Sequence, residues 1–163
     1  MNIIRQVASS MVKFKYMKRI IIYFCITSGI LLAGTVYHIP IEGTIDLGLP
    51  PFIERSISEA EKNNAKTIIF EVNTFGGRVD AATQIKDAIL DSKVPTVAFI
   101  NKRAISAGAL ISLSCEKVFM AGGATIGATT AVDMQGNKAS EKVISYMREE
   151  MAATAEKRGR DTY

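Results

Sequence analysis

Beyond residue 37 the chain alternates short apolar runs with amphipathic stretches, and the two periods can be separated by eye. Tyr37 to Glu42 reads as an opening strand, with Gly43 to Asp46 as its turn. Leu49-Pro50-Pro51 punctuates the chain, and Ile53, Ile57 and Ala60 then fall on one face of a helix from about Phe52 to Asn63. Thr67 to Val72 is a nearly continuous apolar run, the pattern of a parallel strand covered on both faces. A helix follows from about Val79 to Asp91, with Ala81, Ala82, Ile85, Ala88 and Ile89 inward, and then a strand from Val94 to Ile100 entered through Pro95. Asn101-Lys102-Arg103 reads as a basic turn, Ser106 to Leu113 as a third helix, and Lys117 to Ala121 as another strand. Gly122-Gly123 and Ile126-Gly127 mark turns, Val132 to Ala139 a polar loop, and Ser140 to Lys157 a long helix. Repeated strand, crossover helix, strand units predict an α/β fold with a mostly parallel sheet.

Ligands of such sheets sit at the carboxyl ends of the strands. Two small-residue turns fall there: Asn73-Thr74-Phe75-Gly76-Gly77, and Ala104-Ile105-Ser106-Ala107-Gly108, which delivers a serine to the mouth of a helix. Together they can supply a nucleophile and the backbone amides of an oxyanion hole. Taken singly, each has a plainer reading, since Gly-Gly after a strand is usually a turn and Ser-Ala-Gly at a helix start can be a cap.

The first 41 residues hold no Asp or Glu, whereas Arg5, Lys13, Lys15, Lys18 and Arg19 precede an uncharged stretch from Ile20 to Tyr37. Those 18 residues are just long enough to cross a bilayer as a helix. The net charge of +4 is therefore a topological signal and not a nucleic-acid patch. It predicts a cytoplasmic N-terminus and an exported remainder. Residues 1–36 form either a retained anchor or a signal peptide cleaved near Ala33-Gly34. Residues 37–163 form one domain. Cys25 lies in the apolar stretch and Cys115 at the end of a helix, so no disulfide is expected between them.

A serine hydroxyl needs a neighbouring base. The one histidine, His38, precedes completion of the first strand and reads as a surface residue, which argues against a Ser-His-Asp triad. A lysine can serve where burial favours its neutral form. Lys117, Lys138 and Lys142 lie downstream. Lys142 sits in the first turns of the last helix, where the positive end of the dipole disfavours an ammonium.

At these residues the sequence resembles the serine proteases of the ClpP and signal-peptide-peptidase class, and most closely the membrane-associated NfeD family with its stomatin-linked archaeal members. The resemblance rests on Asn73 to Arg78, Ala104 to Gly108 and the Ala-Thr-Ile-Gly-Ala run at Ala124 to Ala128. It implies a ClpP/crotonase-like fold, preceded here by the N-terminal hydrophobic helix, and a catalytic dyad. Ser106 matches the nucleophile and Lys142 the base, with Lys138 in reserve because the 36-position spacing is a few residues shorter than the family's. The family turn usually has proline where this chain has Phe75.

The resemblance further implies peptide-bond hydrolysis in hydrophobic segments of membrane proteins. The oxyanion would be held by the amides of Gly76 or Gly77 and of Ala107, with no cofactor or metal. It implies a stomatin- or prohibitin-type membrane partner, a homodimer, and a protease domain on the extracytoplasmic side, C-terminally incomplete in this chain. Two other readings stand beside it. One is a catalytically silent membrane scaffold or partner-binding domain. The other is a crotonase-type acyl-CoA enzyme, for which Glu116, Asp133 and Glu141 are the nearby acids.

Overall fold

The computed structural model describes residues 34–127 and 139–161. The elements follow in the order β1 (Val36–Ile45), α1 (Leu49–Lys62), β2 (Thr67–Gly77), α2 (Val79–Asp91), β3 (Thr96–Ile105), α3 (Ala107–Ser114), β4 (Lys117–Met120), β5 (Thr125–Gly127) and α4 (Glu141–Lys157). The sheet runs β1-β2-β3-β4, with β5 also on β3, and every pairing is parallel. The stretch from Ile20 to Ala33 lies outside the described residues. Among those described, no helix is long and apolar enough to cross a membrane.

Strand alternation builds the core. Ile39, Ile41 and Ile45 of β1, Ile68, Phe70 and Val72 of β2, and Ala98 and Ile100 of β3 point to one face. There they meet Ile53 and Ile57 of α1, Ile85 and Ile89 of α2, and Leu110 and Ile111 of α3. Full burial of each of the larger side chains contributes about 1.5–3 kcal/mol. The α3 helix is buried nearly all round, as its even apolarity requires. The other face carries Ile69, Glu71, Phe99 and Phe119, and no described helix covers it. The expectation of a β2 covered on both faces is thus met on one face only.

Four expected turns belong wholly or largely to strands instead. β1 continues to Ile45 through a register shift at Gly43, whose φ of 73° glycine adopts at little cost. β2 extends through Gly77. β3 runs on through Asn101-Lys102-Arg103 to Ile105, because β5 pairs with Arg103, Ala104 and Ile105 and satisfies their backbone. The expected Ile126-Gly127 turn is the end of that short strand. The helix α1 starts at Leu49, before the two prolines, because its first turn needs no amide donors there.

The helix α4 packs on α2 and α3 through Met147, with Ile144 and Met151 beside it, and through polar contacts. Lys86 of α2 bonds Glu150 at 2.6 Å and Asp87 at 2.8 Å. Burial disfavours the Lys86 ammonium, but the two carboxylates together outweigh it and raise its pKa. That contribution is present below the ordinary lysine value and is lost as pH rises through the raised one. Beyond α4, Arg158 donates to Ser114 O at 2.6 Å and Ile89 O at 3.2 Å. Arg160 donates to the carbonyls of Leu113, Cys115 and Glu116 at 2.6, 2.8 and 3.1 Å. Apart from Ile89 O, which lies near the end of α2, these are carbonyls at and just beyond the end of α3 that lack helical partners. Arg160→Ala is expected to cost about 2 kcal/mol, read as a lower midpoint of thermal unfolding.

Candidate active site

Ser106 stands between β3 and α3 with φ 53° and ψ −114°, a conformation that L residues seldom adopt. Its N–H donates to Gly127 O at 2.8 Å, so β5 holds the turn from one side. Its hydroxyl caps nothing in the helix, and the residue is half-buried. The amide of Ala107 begins the helix and has no partner within it.

The second turn closes on the first. Gly76 has φ 106°, and a methyl group there would lie 2.8 Å from Ser106 Cβ and 2.9 Å from Ile105 O. Glycine is required at this position on both counts. The Gly76 amide donates to Thr74 Oγ1 at 2.9 Å, so it is already committed. Gly77 is exposed and faces the other way, with a built methyl group only 2.1 Å from Ile45 O. Phe75 is 72% exposed, and the Arg103 guanidinium lies 4.4 Å from its ring centroid.

Lys142 is the second residue of α4 and is exposed. It lines a groove of about 790 Å³ with Val143, Tyr146 and, from α2 and the residue that caps it, Val79, Asp80, Thr83 and Arg78. Tyr146 and Thr83 bridge the two helices at 3.3 Å. Arg78 grips Asp80 with two hydrogen bonds of 2.9 and 2.6 Å, and that contact holds the Asp80 carboxyl below the usual range. No hydrogen bond joins Ser106 to Lys142 among the described residues. Lys138 and Asp133 lie outside the described residues.

The remaining candidates sit elsewhere. His38 is exposed on β1 and pairs with Glu71 at 2.7 Å, and Asn101 donates to the other Glu71 oxygen at 2.7 Å. His38 is thus the surface residue expected. Lys117 opens β4 opposite Val97, near the start of β3 and away from its carboxyl end. Glu116 follows the far end of α3, roughly 12 Å along the helix from Ser106. Burial pushes the Cys115 thiol up to about 12, which leaves it inert as a nucleophile. The residue that sequence reasoning passed over is Thr74. Its inward position on β2 was readable from strand parity, but its partners were not.

A parallel sheet whose strand ends bring a strained serine turn against a glycine turn has the ClpP-like architecture. ClpP1 from Listeria monocytogenes superposes with a TM-score of 0.61 at 24% identity, covering 77% of this chain and 74% of that one, and shows the fold alone. The chain belongs to the NfeD1b family: the family "NfeD1b, N-terminal domain" matches residues 35–163. The Bacillus subtilis (strain 168) membrane protein NfeD1b is 43% identical over 127 residues, which are 78% of this chain and 29% of that protein. The membrane-bound protease PH1510 of Pyrococcus horikoshii is 32% identical over 149 residues, 86% of this chain and 34% of its own length. The chain therefore spans about a third of the curated relatives it matches. The 1510-N membrane-bound stomatin-specific protease has been solved as a serine-to-alanine variant, and as a lysine-to-alanine variant in complex with a substrate peptide. The two superpose with TM-scores of 0.75 and 0.74 at 31% identity, each covering 81% of this chain and 68% and 64% of those chains.

Proposed function

We propose that this chain carries the protease domain of a membrane-associated serine endopeptidase, with Ser106 as nucleophile and Lys142 as base. The observation that carries the reading is the strained Ser106 turn seated directly on Gly76. Ser106 Oγ attacks a peptide carbonyl while the neutral Lys142 amine takes its proton and then passes it to the leaving amine. The amides of Gly77 and Ala107 hold the oxyanion; Gly76 is the weaker alternative because its N–H is bonded to Thr74. Lys142 lines a groove that an extended substrate can occupy. The apolar walls of Val79, Val143 and Tyr146 suit a hydrophobic segment of a membrane protein.

By analogy with the stomatin-specific relatives, the partner is of the stomatin or prohibitin type. Residues 1–36 act as signal or anchor, the domain lies on the extracytoplasmic side, and it works as a dimer. The wide exposure of Lys142 favours one competing reading, a catalytically silent membrane scaffold.

The full chain in detergent, treated with a fluorophosphonate probe and with extended apolar peptides, tests the dyad. Lys142→Ala is expected to lower both labelling and hydrolysis by about 10³-fold. Unchanged rates in that variant, with loss in Lys138→Ala, would move the base to Lys138. Absence of labelling in the parent chain would favour the scaffold.

A further inference from the structure

Thr74 is nearly fully buried at the point where three elements meet. Its hydroxyl donates to Gly43 O, at the register shift of β1, over 2.5 Å. The same oxygen accepts the Gly76 N–H at 2.9 Å. One hydroxyl thus uses its single donor and an acceptor site to tie the glycine turn to the edge strand. Its methyl group presses on the serine helix, since a methyl group built on Gly108 would lie 2.5 Å from Thr74 Cγ2. The neighbouring Phe75 is exposed, and its contact with the Arg103 guanidinium lies at the surface.

We infer that Thr74 is a positioning residue for the proposed reaction: its hydroxyl fixes Gly76, and through Gly76 the separation between the Gly77 amide and Ser106. The inference rests on the serine-protease reading. Geometry at an oxyanion hole matters because donors must sit 2.7–3.1 Å from where the charge develops. A turn released from Gly43 and from its own amide bond would sample other positions. Such a loss appears in the chemical step and not in substrate affinity.

The test uses the full chain in detergent, with fluorophosphonate labelling and steady-state hydrolysis of an apolar peptide. Thr74→Val keeps the shape and removes the hydroxyl. It is expected to lower kcat and the labelling rate by about 10 to 100-fold, with KM within twofold and the thermal transition retained. Thr74→Ser, which restores the hydroxyl, is expected to stay within threefold of the parent. Thr74→Ala serves as a second hydroxyl-free variant should valine fail to fold. Parent-like rates in Val or Ala, or a Ser variant as slow as Val, would overturn the inference. Loss of the folded state in both hydroxyl-free variants would overturn it too, because the hydroxyl would then be a structural tie only. The serine reading fails separately, if the parent is unlabelled or if Ser106→Ala is labelled like the parent.

Discussion

Ser106→Ala is expected to lower peptide hydrolysis by about 10⁴-fold or more and to leave the fold intact. The reasoning is chemical for the first part and structural for the second. Without the hydroxyl no acyl intermediate can form, and what survives is the smaller contribution of oxyanion donors and binding. The hydroxyl makes no cap bond, so among the described residues its removal leaves no buried partner unpaired. Stability should stay within about 0.5 kcal/mol of the parent. Ser106→Gly provides the control. A φ of 53° with ψ −114° stores strain that glycine relieves, and after glycine's extra unfolded-state entropy the net gain is about 1 kcal/mol. A variant more stable yet inactive would show that the turn holds its serine for chemistry. Hydrolysis by Ser106→Ala at the parent rate would sink the assignment.

Gly77→Ala is expected to be the most damaging small substitution, at about 3 kcal/mol or more of stability. The added methyl group meets the backbone of Ile45 at 2.1, 2.6 and 2.8 Å, so no flexible side chain can move aside. Ile45 is fully buried, and its carbonyl accepts the Arg78 N–H at 2.8 Å. Relief therefore requires the end of β1 to separate from β2, with loss of that bond and of core contact. The check is thermal unfolding of the full chain beside Gly122→Ala, where an added methyl group meets nothing within 4 Å. Equal midpoints for the two variants would refute the account.

The elements were legible because their periods are clean. Ile53, Ile57 and Ala60 marked α1, and Ala81, Ala82, Ile85 and Ile89 marked α2, through one-sided apolar spacing that burial in a common core requires. The strand ends were misplaced at Gly43 to Asp46, at Asn101 to Arg103 and at Ile126-Gly127. Polar and glycine residues there look like turns, while pairing with β2 or between β3 and β5 supplies their backbone partners. Such pairing is long-range and leaves no local signature. Likewise the nearly continuous apolar run from Thr67 to Val72, Ile69 included, suggested two covered faces, since composition does not say which side the helices take.

By itself, the sequence determined the alternation of strands and helices, the serine and glycine turns at strand ends, and the basic N-terminal stretch before an apolar one, because each depends on residue types at short range. Tertiary structure alone decided which of these meet. It set Gly76 against Ser106, turned Gly77 toward Ile45, tied Thr74 to Gly43 and left Lys142 exposed on a groove. Those outcomes follow from the register of parallel strands joined by helices, and that register is fixed only when the core closes.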